Sequence, residues 1–460
     1  MTSDWDLDLI RRHGGSGPRY TSYPPALKFH EEIDRRDYEA AIWQGNLERR
    51  PLSLYFHIPF CNSVCYYCAC NRIITNDKSR ATDYLERLIQ EMRLRSALPD
   101  SQRPVVQMHW GGGTPTFLSD AQMTALVYNT GRLFNLQDNG EADYSIEIDP
   151  RTVDRSRIAL LRGLGFNRVS LGIQDLDPKV QRAVNRVQPY EQIREVFGWV
   201  RDFSFRSVNA DLIYGLPWQS ESSLARTVEQ LAELRPERIS LYNYAHMPAR
   251  FKIQRNIPEA ALPPPAEKLR MLARAGSLFE QAGYRLVGMD HFALPEDDLA
   301  IAQDNGTLHR NFQGYTLHGD ADLIGMGVSA ISQVGAYYGQ NFKAVPTWQD
   351  VVDQRQLPIE RGYLLNRDEQ IRRAVIMQLL CLMSLDFETL GEQWQIDIRD
   401  YFASELKVMQ QYEREGLVEL SNEGLRVTAP GRLVARSLAA VFDRTLQHHG
   451  HTDQRYSRII

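Results

Sequence analysis

The sequence predicts an α/β fold in which parallel strands form a complete or partial (β/α) barrel. From about residue 50, short β-rich runs alternate with longer helical stretches, and the runs are LSLYFHI, QMHW, SIEI, RVSLGIQ, VNADLIY and RISLYNY. The intervals leave room for one crossover helix each, which is the connection that parallel strands need. A doubly wound open sheet would show the same alternation, so the pattern favours the barrel without excluding that alternative.

Cysteines, glycines and polar residues lie at or near the carboxyl ends of the predicted strands. Folds of this class have their active sites at those strand ends. A cysteine-rich loop follows the first run, and the glycines of GGGTP follow the second. Glu147 is the last residue but one of the third run, Gln174 ends the fourth, and Asp211 lies inside the fifth. We therefore expect one site at this edge of the sheet.

Four segments are expected along the chain. Residues 1–49 form an N-terminal arm, whose stretch GGSGPRYTSYPP forbids a regular helix and gives either a disordered leader or a stiff segment able to fold over a site. The barrel is expected over 50–340, a linker over 341–365, and a mostly helical C-terminal domain over 366–460. In that last segment a helix end, a hairpin and a helix follow one another, which resembles a winged helix.

Composition limits the classes of function. Hydrophobic residues make up 43% of the 460 residues, enough for a sizeable core, and the net charge of -5 is mild. The C-terminal segment carries more acidic than basic residues, so a DNA-binding surface is not expected there. An odd, small number of cysteines indicates a reducing compartment, and no signal peptide or apolar membrane span is evident. We therefore expect a soluble cytoplasmic protein without nucleic-acid or membrane partners.

The stretch CNSVCYYCAC, residues 61–70, contains four of the five cysteines. A structural zinc site usually has two pairs of ligands that are separated in the sequence. The remaining Cys381 stands alone in an apolar helix and cannot supply a second cysteine pair. A redox dithiol would use Cys65 and Cys68 but leave Cys61 and Cys70 unexplained. An iron–sulfur cluster held by three thiolates would leave one iron open to a substrate or cofactor, and the residues favour this third interpretation.

The spacing C-x3-C-x-aromatic-C, followed by GGGTP, resembles that of the radical S-adenosylmethionine (SAM) enzymes. The resemblance implies a partial (β/α)6-type radical SAM barrel. It also implies that Cys61, Cys65 and Cys68 ligate a [4Fe–4S] cluster whose fourth iron binds SAM, with Cys70 outside the triplet.

Further segments resemble, one by one, those of the oxygen-independent coproporphyrinogen III oxidases; they include GPRYTSYP, EIDPR, DLIYGLP, NYAHMP, HRNFQGYT and GMGVSAIS. That family removes two propionate carboxyls from coproporphyrinogen III and gives protoporphyrinogen IX in haem biosynthesis. The resemblance further implies an electron donor such as a flavodoxin or ferredoxin, and a monomer. A haem-binding chaperone built on the same barrel is the alternative, and Cys70 together with HRNFQGYT favours the oxidase.

The resemblance implies two SAM molecules per active site. Residues at matching positions would contact the first: Tyr55, Gly112, Glu147 and Ile331. Others would contact the second: Tyr67, Gly113, Thr114, Gln174, Arg186, Asp211 and Ala245. Carboxylates, an amide and a guanidinium can bind ribose hydroxyls, an amino group and a carboxylate. The alternatives are a helix cap or ion-pair role for Glu147 and Asp211, and plain core packing for Ala245 and Ile331.

The substrate of that family carries four carboxylates and needs cationic partners. Arg19 and Arg310 are the main candidates, with Tyr20, Asp290 and His309 as lesser ones, and simple surface exposure is the alternative. Cys70 is implied to be needed for activity without ligating the cluster.

Overall fold

The computed structural model describes residues 6–14, 17–138 and 140–447. In this part of the chain the strands are β1 (Leu52–Ile58), β2 (Phe60–Cys61), β3 (Ile73–Ile74), β4 (Pro104–Gly112), β5 (Asn135–Leu136), β6 (Asp143–Ile148), β7 (Arg168–Gln174), β8 (Ser207–Tyr214), β9 (Arg238–Asn243), β10 (Arg285–Gly288), β11 (His291–Ala293), β12 (His309–Asn311), β13 (Gly314–Thr316), β14 (Asp322–Met326), β15 (Ile331–Val334), β16 (Tyr337–Asn341), β17 (Ile359–Leu364), β18 (Ser384–Asp386), β19 (Val418–Leu420) and β20 (Gly424–Val427). The α-helices are α1 (Leu7–His13), α2 (Arg35–Leu47), α3 (Ser79–Ser96), α4 (Asp120–Leu133), α5 (Arg155–Gly163), α6 (Pro178–Ala183), α7 (Tyr190–Asp202), α8 (Glu221–Leu234), α9 (Pro265–Gln281), α10 (Asp298–Asp304), α11 (Val345–Asp353), α12 (Arg367–Leu382), α13 (Phe387–Trp394), α14 (Ile398–Tyr401), α15 (Ala403–Arg414), α16 (Ala429–Arg432), α17 (Ala435–Ala440) and α18 (Arg444–Gln447).

Six parallel strands form the centre of the main sheet in their chain order, β1, β4, β6, β7, β8 and β9. A doubly wound sheet reverses its strand order at a switch point, and this order never reverses. The barrel interpretation is therefore confirmed, and the doubly wound alternative is excluded. Within the described residues β9 pairs with β11 and β1 with β14, while no ladder joins β1 to β9, so the six strands form a partial barrel.

The parallel strands carry different residues on their two faces. In β8, Val208, Ala210 and Leu212 are buried in the hydrophobic core. The intervening Asn209 and Asp211 line an internal cavity instead. Successive side chains of a strand point to opposite faces, so this alternation gives one apolar face and one polar face.

The C-terminal elements pack on a hydrophobic cluster of their own, which includes Leu380, Phe402 and Leu438. A three-stranded antiparallel sheet, ordered β18-β20-β19, contains the expected hairpin between β19 and β20. This confirms the winged-helix-like character of a mostly helical segment. The N-terminal arm reaches the same cluster, where Tyr20 and Tyr23 are buried.

The segment 341–365, expected to be a linker, carries α11 and β17, and β17 pairs with β16 at the edge of the main sheet. The boundaries of the four segments stay predictions, and residues 1–5, 15–16 and 448–460 of the two terminal segments lie outside the described residues. Every helix that the structure describes is too short or too polar to cross a bilayer.

Candidate active site

The cysteine loop leaves the end of β1, and its thiols have distinct partners. Cys61 Sγ accepts a hydrogen bond from Thr114 Oγ1 at 3.3 Å. Cys65 is buried, and its sulfur accepts hydrogen bonds from Arg186 Nη1 at 3.5 Å and Arg151 Nη2 at 3.8 Å. Two guanidinium groups therefore lie within hydrogen-bond distance of one sulfur, so this part of the loop is cationic.

The other thiols differ in their ease of ionisation. A hydrogen bond from Cys70, aided by the charge of Arg72, lowers the pKa of Cys68 to about 6 against the effect of burial. Burial raises the pKa of Cys61 to about 11, so a bound cation is needed to ionise it at neutral pH. Cys70 itself is exposed.

These donors fit an iron–sulfur cluster better than a single ion. Among the described residues no group of three or more His, Cys, Asp or Glu side chains is arranged to hold one metal ion. In a cubane each thiolate binds a different iron, so its ligands need not converge on one point. The cationic surroundings of Cys65 would also offset the negative charge of a thiolate-ligated cluster.

The glycine loop after β4 requires glycine for steric reasons. Gly112 has φ +110°, and a Cβ added there would lie 2.6 Å from the ring of His57. A Cβ on Gly111 would lie 2.6 Å from Glu147 Oε1, and one on Gly113 would lie 2.8 Å from the Phe60 carbonyl oxygen. The loop therefore passes close to the end of β1, and glycine is required there because neighbouring protein atoms occupy the space of a Cβ.

An aromatic and polar wall adjoins this loop. His57 Nε2 donates to the Asn71 carbonyl at 2.9 Å, so its Nδ1 can accept from the Tyr55 hydroxyl at 3.2 Å. The Tyr55 ring lies parallel to that of His109, with centroids 5.9 Å apart. These contacts fix the orientation of Tyr55 from two sides.

Glu147, on β6, joins the wall to the glycine loop. Its Oε2 accepts the Gly112 N–H at 3.1 Å, and its Oε1 pairs with His109 Nε2 at 3.3 Å. Burial alone would raise the pKa of Glu147, but the hydrogen bond and charge of His109 and the Gly112 N–H hold it below its ordinary value. The carboxylate is therefore ionised and available to accept from a ligand.

A second group of predicted residues surrounds the end of β7. Gln174 adopts φ +65°, next to an irregularity in the pairing of β7 with β8. Left-handed backbone at a non-glycine residue costs free energy and occurs often at functional sites. Arg186 is held by Asp149 Oδ2 at 3.0 Å and by the Gly172 carbonyl at 2.7 Å, while its buried Nε has no hydrogen-bond partner among the described residues.

Asp211 lies on the next strand. It accepts hydrogen bonds from Ser170 Oγ at 2.7 Å and from Asn209 Nδ2 at 2.9 Å. Burial nevertheless raises the pKa of Asp211 to about 6. Its carboxylate therefore ionises near the lower edge of the physiological range.

A cavity of about 660 Å³ lies inside the sheet and opens beside the cysteine loop. Its wall includes many of the residues predicted from sequence, namely Arg19, Tyr67, Cys68, Cys70, Glu147, Gln174, Asp211 and Ala245. The remaining predicted residues of the cluster and SAM sites are not among those that line it: Tyr55, Cys61, Cys65, Gly112, Gly113, Thr114, Arg186 and Ile331. Of these, Cys61 and Thr114 line a separate cavity. Ile331, at the start of β15, packs beside Phe29 and Tyr338.

The candidate substrate residues occupy different places. Arg19 lines the cavity and donates to the Asn243 carbonyl at 3.0 Å. Arg310 lies above the Tyr315 ring, and its Nε donates to the Tyr20 carbonyl at 3.2 Å. Tyr20 directs its hydroxyl away from the cavity residues, to Asp443 Oδ2 at 2.9 Å.

The two remaining candidates stand on nearby elements. Asp290 pairs with the adjacent His291, with 3.1 Å between Oδ1 and Nδ1. His309 lies on the hairpin of β12 and β13, opposite Thr316. Neither Asp290 nor His309 is among the residues that line the main cavity.

Sequence reasoning missed several cavity residues. Gln254 donates to the backbone carbonyls of Tyr67 and Ala245, at 3.0 and 3.3 Å, and so ties the cysteine loop to the segment after β9. Gln313 lines the cavity with both amide atoms buried and without a hydrogen-bond partner among the described residues. No local sequence signal marks Gln254, whereas Gln313 lies inside the HRNFQGYT segment.

Comparison with known proteins identifies the family to which this chain belongs. The family model described as the radical SAM superfamily matches residues 55–231, and that described as the HemN C-terminal domain matches residues 365–434. The oxygen-independent coproporphyrinogen III oxidase of Pseudomonas aeruginosa is 50% identical over 459 residues, covering 100% of this chain and 99% of the relative. The chain belongs to the oxygen-independent coproporphyrinogen III oxidases.

Other relatives of this oxidase family agree. The Escherichia coli oxidase is 46% identical and covers 99% of each chain. The solved structure of coproporphyrinogen III oxidase (HemN) from E. coli, reported as a radical SAM enzyme, superimposes with a TM-score of 0.92 at 45% identity, covering 97% of this chain and 100% of that one. Membership in the radical SAM superfamily implies a [4Fe–4S] cluster and SAM. The comparisons favour the oxidase over the haem-binding alternative.

Proposed function

We propose that this oxidase converts coproporphyrinogen III into protoporphyrinogen IX, by oxidative decarboxylation of two propionate side chains to vinyl groups. The observation that carries the proposal is the cavity of about 660 Å³, which opens at the cysteine loop and has the polar side chains of Glu147, Gln174 and Asp211 in its wall. A cavity of this volume lies within the usual range for small-molecule sites and has room for a cofactor or a ring-sized ligand. The identity of the substrate is taken from the names of the relatives.

The reaction explains why such a site is needed. The hydrogen on the propionate β-carbon is unactivated, so no side-chain base of tuned pKa removes it as a proton. When bound, the cluster and SAM together supply a 5′-deoxyadenosyl radical that takes this hydrogen atom. Each propionate then loses carbon dioxide and one further electron, which leaves with an acceptor. The protein positions the reactants and keeps water and oxygen out of the cavity.

The residues around the glycine loop bind the first SAM, the one at the cluster. Cys61, Cys65 and Cys68 hold the cluster, and Cys70 supports activity by hydrogen bonding Cys68. The ionised Glu147 accepts from the methionine amino group or the ribose, since its pKa is held low. The partly buried backbone at Gly112 accommodates the methionine portion, and Tyr55 and Ile331 complete the contact surface.

The residues around β7 and β8 bind a second SAM. Arg186 provides a guanidinium for its carboxylate, and its buried Nε is without a partner among the described residues. Gln174 and Asp211 provide acceptors for hydroxyl or amino groups. Further contacts come from side chains and backbone nearby, namely Tyr67, Gly113, Thr114 and Ala245.

Arg19 and Arg310 bind carboxylates of the substrate. Arg19 reaches the cavity from the arm, and the Tyr20 carbonyl orients Arg310. Tyr20 thus acts through its backbone, and Asp290 contributes a negative charge. Burial lowers the pKa of His309, so this residue acts as a neutral hydrogen-bonding group. The reductant is a flavodoxin- or ferredoxin-type protein, and the enzyme works as a cytoplasmic monomer without nucleic-acid or membrane partners.

The proposal is tested with anaerobically reconstituted protein, dithionite, SAM and coproporphyrinogen III. We expect protoporphyrinogen IX, carbon dioxide, methionine and 5′-deoxyadenosine, with one SAM cleaved for each vinyl group formed. SAM cleavage without any vinyl product would overturn the substrate assignment. Tight haem binding without turnover would support the haem-binding alternative instead.

A further inference from the structure

The opening of the main cavity is marked by residues that line it and are also exposed to solvent. Among the described residues these are Arg19, Ala69, Cys70 and Arg250. Two of the four are arginines and none is acidic, so positive charge surrounds the opening. Arg19 belongs to the arm, whereas Arg250 belongs to the segment that follows β9 and to none of the sites described above.

The segment that carries Arg250 is tied to the cysteine loop. Gln254 accepts the Met247 N–H through its Oε1 at 2.6 Å, and its Nε2 donates to the Tyr67 carbonyl at 3.0 Å. The backbone N–H of Arg250 in turn donates to the Met247 carbonyl at 3.0 Å. The position of Arg250 is therefore set, through Met247 and Gln254, relative to the loop that carries the cysteines.

The guanidinium group of Arg250 is available to a ligand. It lies beside the Phe251 ring, with 5.4 Å between Cζ and the ring centroid, and no carboxylate in the described part of the chain forms an ion pair with it. Burial and the charges of Arg361 and Arg250 lower the pKa of the nearby Lys343, while the charge of Glu360 acts in the opposite direction. Cationic side chains are therefore gathered beside the opening.

The cavity wall next to this cation is apolar and aromatic. Met247 and Phe251 line it from the same segment as Arg250, and Tyr67 lines it from the cysteine loop. An apolar wall with a cation at its outer end is complementary to a ligand that has an apolar macrocycle and carboxylates at its edge. A guanidinium binds a carboxylate through two charge-assisted hydrogen bonds, which fix its orientation as well as its distance.

The size of the cavity brings the edge of such a ligand to the opening. A volume of about 660 Å³ lies in the usual range for one small-molecule ligand, and SAM would occupy part of it. A tetrapyrrole therefore cannot lie wholly inside the cavity together with SAM. Part of its edge would extend to the opening, where the Arg250 side chain is exposed.

Resting on the proposed function, we propose that Arg250 binds one propionate carboxylate of the tetrapyrrole substrate at the opening of the main cavity, with Lys343 as a supporting charge. Arg19 and Arg310 bind others of the four carboxylates. Because the segment of Arg250 is tied to the cysteine loop, the bound carboxylate holds the macrocycle at a defined place relative to the cluster. Arg250 thus selects for carboxylated tetrapyrroles and takes no part in SAM binding.

The test compares two ligands by fluorescence titration of the cluster-loaded enzyme under anaerobic conditions. The ligands are coproporphyrin III, which is the oxidised and unreactive form of the substrate, and its uncharged tetra-amide. We expect Arg250→Gln to weaken binding of the acid about fivefold or more and to change binding of the amide less than about twofold. Lys252→Gln removes an exposed cation of the same segment that does not line the cavity, and as the matched control it changes either affinity less than about twofold.

Kinetics give a second, independent reading. Arg250→Gln is expected to raise KM for coproporphyrinogen III with a smaller effect on kcat. Arg250→Lys is expected to recover part of the loss, because lysine keeps the charge but not the paired hydrogen bonds. The affinity for SAM stays at the wild-type value in both variants.

Three outcomes would overturn the assignment of Arg250. Equal weakening of acid and amide would show a purely structural role, unchanged binding of the acid would show no role, and weakened SAM binding would show a contact with the cofactor instead. All three readings come from binding, so they stand even if the wild-type enzyme makes no protoporphyrinogen, which would be a failure of the proposed function.

Discussion

Glu147 accepts a hydrogen bond from the backbone N–H of Gly112, with 3.1 Å between Oε2 and the nitrogen. The contact links the third parallel strand to the glycine loop that follows the second. It keeps a charged group at the wall of the cavity, where the strands end. Two separate sequence motifs therefore act as one structural unit.

Glu147→Gln is expected to weaken SAM binding about tenfold or more, because the amide keeps the shape of the side chain but loses the charge that we propose binds the amino group or the ribose of SAM. Equilibrium binding of SAM to the cluster-loaded protein measures the effect. Glu229→Gln, on the exposed side of α8, serves as the control. Unchanged SAM affinity in the Glu147 variant would contradict its assigned role.

Gly112→Ala is expected to destabilise the protein by about 1–3 kcal/mol, because the new Cβ would meet the His57 ring in a backbone conformation that alanine resists. Urea denaturation of the variant measures the change in the free energy of unfolding. Gly198→Ala offers a contrast, since this glycine lies within α7 with nothing near its Cβ position. That variant is expected to gain about 0.5–1 kcal/mol.

Replacement of Cys61, Cys65 or Cys68 by alanine is expected to abolish the iron–sulfur cluster, measured as bound iron and as the visible absorption of the reconstituted protein. Cys70→Ala should keep the cluster, because the proposed ligand set does not include Cys70. Cys381→Ala is the control: it removes a buried thiol far along the chain and leaves iron content unchanged. Loss of iron in the Cys381 variant would point to misfolding and not to a missing ligand.

Asp211 gives the stability of the protein a specific pH dependence. Its folded pKa of about 6 exceeds the ordinary value of 3.8, so the folded protein holds a proton that the unfolded chain has released. Stability from this group is therefore greatest at acidic pH and falls as pH rises toward and through 6. Asp211→Asn removes this loss, and the Ser170 hydroxyl can turn to accept from the new amide.

Between pH 5 and 7.5 the wild type is expected to lose about 1 kcal/mol relative to Asp211→Asn, in urea denaturation at each pH. Other carboxyl groups titrate in both proteins, so the difference isolates this one. A constant difference over that interval would show that the Asp211 pKa is not raised.

Tyr20→Phe tests the attachment of the arm. The Tyr20 hydroxyl donates to Asp443, which is fully buried, and its loss leaves a buried carboxylate with one fewer donor. We expect a destabilisation of about 1–3 kcal/mol, measured by urea denaturation. Tyr128→Phe, at an exposed tyrosine, should change stability by less than about 0.5 kcal/mol.

The sequence predicted most of the barrel because its signals are local. Strand-forming runs, a cysteine loop and a glycine loop can each be recognised from a few neighbouring residues. The strand order excluded the doubly wound sheet, and order depends on contacts between distant segments that no local pattern contains. The position of the arm is of the same kind, since Tyr20 and Asp443 are 423 residues apart.

One further signal was available in the sequence. Buried parallel strands usually read as continuous apolar runs, yet Ser207, Asn209 and Asp211 occupy alternate positions of β8. The same alternation recurs in β7 with Arg168 and Ser170. This pattern would have predicted a polar interior and its lining residues.

The alternation along the parallel strands also separates two kinds of selective constraint. Side chains such as Val208 and Ala210 hold the sheet to its helices, while their immediate neighbours face the reaction chamber. A lineage can exchange the chamber-facing set for a new ligand without loosening the scaffold, because each exchange leaves the opposite face untouched. The same architecture can therefore diversify in chemistry while its folding requirements stay fixed.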